Sequence, residues 1–288
     1  MLYLKRDRID VVARAVAELG RGALLALERG DPQFEAISRL AASSRDPGLF
    51  VAMVVANALV SYKLTSRGEE FWAEFSLAAS SSDASSVAEF FERFLRESRA
   101  NRALLEQKLS RVRAFESSSL SALLRARWPE ILSSEEGLRV LWLKLSQLFG
   151  PSKTSAFAVK MAYYAARALG LEPDPPREVP VPVDLRVALV TATSGLVAGR
   201  HWREVWRELR GGKRELASRA WVAVAERAAI PPLNLDALLW LSADAVRASG
   251  FECRASRTSI EARLLGLAGA SGGAVARELT LSLCGGDQ

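Results

Sequence analysis

The sequence predicts an all-α protein built as two helical lobes. Three observations carry that expectation. Apolar residues recur every three or four positions nearly throughout, and nothing alternates at period two for more than a few residues. The Pro and Gly breaks leave helices of ordinary length joined by short loops. With 288 residues, 49 % hydrophobic and 25 % charged, the chain can bury a real core in one large domain or two modest lobes.

The elements follow in chain order. Val11, Val12, Ala15, Val16 and Leu19 share one helix face, and Gly30-Asp31-Pro32 and then Asp46-Pro47-Gly48 interrupt the pattern. Residues 80–86 form a serine-rich loop, after which Phe90, Phe91, Phe94 and Leu95 make another apolar face. Trp128-Pro129 is a further break. Leu138, Leu141, Leu145 and Leu148 line the segment that runs into Gly150-Pro151, and later breaks fall at Gly211-Gly212 and Pro231-Pro232. No internal repeat of fixed period is present. The clearest boundary is the proline-rich stretch 172–182, which is stiff and cannot be helical. The expected organisation is a central lobe of 45–171, a strap of 172–182, and a second lobe of 1–44 with 180–288.

Composition excludes several classes of function. No apolar run reaches the roughly 18–20 residues needed to span a bilayer, and Met1-Leu2-Tyr3-Leu4-Lys5-Arg6-Asp7 is too charged for a signal peptide, so a cytoplasmic protein with no membrane partner is expected. The net charge of +6 permits a polyanionic partner without demanding one. With two cysteines and one histidine, zinc and iron–sulfur sites lack ligands. Neither metal nor cofactor is expected, and Ser-His-Asp or Cys-His catalysis is disfavoured. Cys253 and Cys284 could pair, but a reducing cytosol favours two small buried thiols. His201 reads as a structural or exposed residue at a helix start.

The candidate chemistry centres on Lys153. It follows a tight Gly150-Pro151-Ser152 turn that opens into an apolar helix. Thirty-two of the 39 cations are arginine, so a lysine here is conspicuous: an amine can lose its proton and a guanidinium cannot. Near a helix N-terminus the partial positive charge disfavours an ammonium, which suits a nucleophile. At 100° per residue, Lys153, Phe157 and Lys160 fall within about 60° of one another. Asp184 lies 31 positions after Lys153, at the end of the strap. In the second constellation, Pro231-Pro232 marks a helix start with Asn234 or a neighbour as cap, and Asp236 and Trp240 share a face. An Asp beside an indole N–H suits a flat, hydrogen-bonding ring, although a first-turn acid and a core tryptophan would look the same.

Gly150-Pro151-Ser152-Lys153-Thr154-Ser155 resembles the hairpin of the helix-hairpin-helix DNA glycosylases, approximately Gly-x-Gly-x-Lys-Thr-Ala. Val183-Asp184-Leu185-Arg186-Val187 is similar to their Val-Asp-x-x-Val segment. Gln33-Phe34, Asn57 to Thr65 with Gly68 to Trp72, the Lys153 helix, Val181 to Asp184, and Ile230 to Trp240 together look like the archaeal 8-oxoguanine DNA glycosylases. The pieces run in the same order from about residue 27 to 245. The hairpin departs from the superfamily in having a single glycine, the four-cysteine iron–sulfur loop of some branches is absent, and nothing aligns beyond about residue 250.

The resemblance implies a fold of the helix-hairpin-helix glycosylase type, with the active site in the cleft between two lobes. It implies that Lys153 is the nucleophile and Asp184 the essential carboxylate. Phe157 and Trp72 would supply stacking faces for an everted base, and Gln33, Lys160, Asp236 and Trp240 would line its hydrogen-bonding edge. Gly150 and Ser152 would meet the DNA backbone. The implied activity is that of a monomeric N-glycosylase/AP lyase that acts on DNA containing 8-oxoguanine through a Schiff base. The same fold acting on another lesion, or a non-enzymatic helical DNA-binding protein, stays open at this stage.

Overall fold

The computed structural model describes residues 1–285. Among them are fifteen α-helices, two short 3-10 helices and one two-stranded antiparallel pair. The chain divides into two compact units, Met1–Arg29 with Pro180–Gln288 in the first and Gly30–Val179 in the second. Strand β1 (Tyr3–Leu4) and helix α1 (Arg6–Arg29) open the first unit. Gly20, at φ 80°, breaks the course of α1.

The second unit holds α2 (Pro32–Ser43), α3 (Pro47–Val60), α4 (Gly68–Ser80), α5 (Val87–Glu97), α6 (Leu105–Glu116), α7 (Ser119–Leu132), α8 (Glu135–Phe149) and α9 (Lys153–Ala168). Their starts are written locally. Asp31, Asp46, Ser86, Ser118, Ser134 and Ser152 each accept a first-turn backbone N–H, and proline stands at the opening of α2 and α3, where no N–H is missed. The expected break at Trp128-Pro129 is instead a kink inside α7, centred on Arg127 at φ −132°. Residues 155–167 of α9 are all buried, and α9 packs against α2, α3, α7 and α8. It is the axis of this unit. A tightly packed cluster of Phe71, Phe75, Phe90, Phe91 and Phe94 fills the side formed by α4 and α5.

Residues 30–44, expected in the second lobe, belong with this central unit. Helix α2 packs on α4 and α9, and its apolar stripe of Ala36, Ile37 and Leu40 is buried there. The division therefore falls at Arg29/Gly30 and Val179/Pro180.

The chain then returns to the first unit through α10 (Leu185–Thr193), strand β2 (Val197–Ala198), α11 (Trp202–Arg210), α12 (Arg214–Ala228), a 3-10 turn (Pro232–Leu235), α13 (Asp236–Ala248), α14 (Cys253–Ala268) and α15 (Ala270–Leu279). One apolar core, including Val12, Val16, Leu24, Leu189, Trp221, Leu238 and Val275, joins these helices to α1. Arg8 ties three of its elements together. Its guanidinium donates to the Ser194 carbonyl at 3.0 Å and to Glu278 Oε2 at 2.8 Å, so the buried charge is paired and hydrogen-bonded. The expectation of two free thiols is overturned: Cys253 and Cys284 form a disulfide. The start of α14 and the 3-10 turn Ser282–Cys284 meet in the fold, which spacing alone could not show. Asn234, expected as a helix cap, instead donates through Nδ2 to Glu28 Oε1 at 2.7 Å, deep in the unit. No helix among the described residues is long and apolar enough to cross a membrane.

Helix α3 crosses α7 at Gly48, where an added Cβ would stand 2.2 Å from the Arg125 carbonyl oxygen. Both groups are main chain, so neither can swing away. Gly48→Ala is expected to lower unfolding stability by about 2–3 kcal/mol, which chemical denaturation of the purified variant will measure. Gly22→Ala is the control, because nothing lies within 4 Å of that position.

Candidate active site

The turn before α9 is assembled from short, local bonds. Gly150 sits at φ 79°, a backbone conformation that glycine adopts without a Cβ penalty. The Gly150 N–H closes α8 on the Ser146 carbonyl at 2.9 Å, and the Ser152 N–H turns back to the Gly150 carbonyl at 2.8 Å. Ser155 Oγ donates to that same carbonyl at 2.7 Å. Ser152 Oγ then caps α9 by accepting the Ser155 N–H at 3.3 Å. The result places Lys153 at the first position of α9, exposed, while the helix behind it is buried. The Gly150 and Ser152 amides, expected to face a DNA phosphate, are engaged within the chain. The amides of Lys153 and Thr154 are the next along, and first-turn N–H groups have no intrahelical carbonyl to reach.

Arg111 of α6 braces this turn from outside it. Its Nη2 donates to Thr154 Oγ1 at 3.0 Å, and its guanidinium lies over the Phe149 ring at 4.5 Å. Burial pulls the Arg111 pKa down, while Tyr62 pulls it back up; Tyr62 in turn is raised by burial and lowered by Arg111. The sequence reading missed Arg111. It is one of 32 arginines, and nothing in its spacing marks it.

From Lys153 a ridge runs along α9 into the unit. Phe157 meets Trp72 of α4 edge-on, with ring centroids 6.1 Å apart. Lys160, fully buried, donates to Asp31 Oδ2 at 3.2 Å, with Tyr164 OH on the same oxygen at 3.0 Å. Asp31 Oδ1 accepts the Gln33 N–H at 2.9 Å. One carboxylate thus caps α2, positions Gln33 and pairs Lys160. Gln33 Oε1 and Trp72 Nε1 are buried without a hydrogen-bond partner among the described residues, as are both amide atoms of Asn57 on α3. A buried acceptor or donor left unpaired costs on the order of 1–3 kcal/mol, so the core of this unit keeps polar groups that its own packing does not need. Gln33, Trp72, Phe157 and Lys160 are therefore gathered around α9 in one unit. Asn57 was read in the sequence as part of a pattern and not as a site residue. Its signal is a polar amide within the apolar run Val54-Val55-Ala56-Asn57-Ala58-Leu59-Val60.

Asp184 opens α10 in the first unit. Its Oδ1 accepts the N–H groups of Arg186 at 2.8 Å and Val187 at 2.9 Å. It is half-buried and stands as the N-cap of α10. Two residues on, the Arg186 guanidinium lies 4.1 Å from the centre of the Trp240 ring, and its Nε forms an ion pair with Asp244 Oδ1 at 3.0 Å. Trp240 is thereby fixed beside the start of α10. Asp236 is buried in the first turn of α13. His201 caps α11, its Nδ1 accepting the Arg203 N–H at 3.2 Å. Among the described residues no group of three or more His, Cys, Asp or Glu could hold a metal ion.

Several known proteins are similar to this chain in sequence or fold. The protein named N-glycosylase/DNA lyase from Aeropyrum pernix is 34 % identical over 250 residues, 84 % of either chain. That of Thermococcus kodakarensis is 31 % identical over 240 residues, 81 % of this chain and 83 % of its own. A solved structure, 8-oxoguanosine-complexed Pa-AGOG, an 8-oxoguanine DNA glycosylase from Pyrobaculum aerophilum, superposes with a TM-score of 0.73 at 26 % identity, covering 95 % of this chain and 97 % of that one. An all-α chain with these relatives is of the DNA repair glycosylase class. More narrowly, the family model described as AGOG, N-glycosylase/DNA lyase, matches residues 13–270, and the chain belongs to that family. The match extends past residue 250, where sequence reading found nothing to align.

Lys108 gives a titration test of the packing next to the site. It is fully buried on α6, donates to Asn101 Oδ1 and lies 5.1 Å from the centre of the Tyr62 ring. Burial lowers its pKa from 10.5 to about 8. Between about pH 8 and 10.5 the unfolded chain therefore binds more protons than the folded one, and stability from this group rises with pH across that window. Unfolding free energies at pH 7.5 and 10 are expected to move in favour of wild type relative to Lys108→Met. An unchanged difference would mean that Lys108 is not desolvated.

Proposed function

We propose that the protein excises 8-oxoguanine from DNA and cleaves the strand at the resulting site, with Lys153 as nucleophile. It acts in the cytoplasm as a monomer, with no metal or cofactor. The observation that carries the reading is the placement of Lys153: an exposed amine at the first position of a buried helix, whose next ridge members are Phe157 against Trp72 and then Lys160. Membership of the N-glycosylase/DNA lyase family supports it.

In this reading the damaged nucleotide leaves the stack, because its C1′ cannot be reached inside a duplex. The Lys153 amine forms a bond to C1′ as the C1′–N9 bond breaks, and the base departs with a proton. Asp184 stabilises the positive charge that develops on the sugar. The sugar ring opens to a Schiff base on Lys153, a proton is lost from C2′, and the C3′–O bond breaks on the 3′ side. Lys153 and Thr154 amides would meet a backbone phosphate in place of the occupied amides of Gly150 and Ser152. Phe157 and Trp72 would supply ring faces, and Lys160, Asp236 and Trp240 would border the polar edge of the base.

Selectivity for the lesion rests on chemistry that guanine lacks, an N7–H donor and an O8 acceptor. The buried, unpartnered Gln33 Oε1 and Trp72 Nε1 are an acceptor and a donor of the kind required. Undamaged guanine would leave such an acceptor unpaired, which is the stronger form of discrimination.

Borohydride trapping on an oligonucleotide with one 8-oxoguanine is expected to give a covalent complex, and a panel of other single lesions little or none. Lys153→Gln is expected to abolish trapping and strand cleavage while lesion-DNA affinity stays within about threefold. Persistent trapping would assign the nucleophile elsewhere. Asp184→Asn isolates charge from capping, because Asn caps as well as Asp. It is expected to slow single-turnover excision by about 10²–10⁴-fold with an unchanged melting temperature; near-wild-type turnover would remove Asp184 from the chemistry.

A further inference from the structure

Helix α11 carries five charged residues sorted by sign. Arg203, Arg207 and Arg210 recur at i, i+4 and i+7 and fall within about 60° of one another around the helix, whereas Glu204 and Glu208 point roughly a third of a turn away. All three arginines are exposed, and none has a carboxylate partner among the described residues. Glu208 instead pairs with Lys213. Three like charges at this spacing repel one another by a few tenths of a kcal/mol per pair, and no ion pair among the described residues offsets it.

Two of the three guanidiniums are laid on rings. Arg203 lies over Trp202 at 4.6 Å and Phe251 at 5.5 Å, and Arg210 lies over Trp206 at 4.8 Å. Trp202 is stacked with both Trp206 and Phe251, so the rings form one rigid bed. A guanidinium held over a ring still has N–H groups for an oxygen acceptor, the fork that fits a phosphate. The bed is also tied to the start of α10. Trp206 Nε1 donates to the carbonyl of Leu185, the residue after Asp184, at 3.2 Å, and the Leu185 side chain is exposed.

We propose that the Arg203–Arg207–Arg210 stripe of α11 is a DNA-backbone contact surface, with phosphates of the strand that reaches Asp184 as its occupant. The choice of occupant follows from charge complementarity and from the Trp206–Leu185 bond, and it rests on the reading that Asp184 works on a DNA sugar. The stripe spans about 10 Å along the helix axis, comparable to three steps of about 3.4 Å per strand. It reads no base: phosphate contacts of this kind set position and affinity, not sequence.

The test compares salt dependence of duplex binding for wild type, the triple variant Arg203→Gln/Arg207→Gln/Arg210→Gln, and a control of equal charge change, Arg219→Gln/Arg254→Gln/Arg263→Gln. The α11 triple variant is expected to flatten the plot of log affinity against log salt by about 2 to 3 in slope. It should also weaken lesion and undamaged duplex by the same factor, on the order of tenfold. Its borohydride trapping at saturating DNA in low salt should match wild type. Tm should not change, which excludes misfolding. An unchanged slope, or an equal flattening in the control, overturns the proposal. Failure of wild type itself to trap on 8-oxoguanine DNA is a separate result, and counts against the assigned chemistry and not against the stripe.

Discussion

Two helices must be joined through three residues, and the second must start with a side chain that water can reach. That constraint governs the central unit. Gly150 supplies a backbone conformation with positive φ, Pro151 cannot continue α8, and Ser152 turns its hydroxyl onto the first turn of α9. Both N–H groups of the turn and the carbonyls of Gly150 and Ser152 are hydrogen-bonded to the turn or to the helices it joins, so its shape does not depend on a ligand. Because α9 is buried from Ser155 onward, the orientation of its first turn is fixed by the packing of the whole unit. Lys153 inherits that rigidity at its Cα and keeps freedom in its four-carbon stem.

The polar groups inside the central unit follow from the same helix. Asp31 joins the start of α2 to the middle of α9 through Lys160 and Tyr164, a buried ion pair whose desolvation is offset only because each oxygen has partners. Nearby sequence on α2, α3 and α4 contributes Gln33, Asn57 and Trp72, whose buried polar atoms the protein itself does not pair. A core that existed for stability would replace these with apolar groups of similar shape.

In the first unit a single carboxylate fixes the start of α10. Asp184 uses Oδ1 to close the open amides of α10, and capping fixes where its charge stands. Around it, Arg186 holds Trp240 and Trp206 holds the Leu185 carbonyl. The N-terminus of α10 is thus braced by two tryptophans, from α13 and α11.

Local signals made much of this protein legible in its sequence. Apolar periodicity gave the helices, Asp, Ser and Pro gave their starts, and glycine at a forced conformation gave the turn that precedes Lys153. Asp184 stood out because it follows a run of prolines, and the ordered series from Gln33 to Trp240 pointed to a family. Local rules state which way a side chain faces but not what it meets. That Lys160 faces Asp31, 129 positions away, that Arg111 braces Thr154 across 43 positions, that Asn234 leaves its expected cap for Glu28, and that two cysteines pair near the C-terminus were decided by tertiary structure. So was the assignment of residues 30–44 to the central unit. Each depends on long-range packing, where burial forces a polar group to find whichever partner the fold brings within reach.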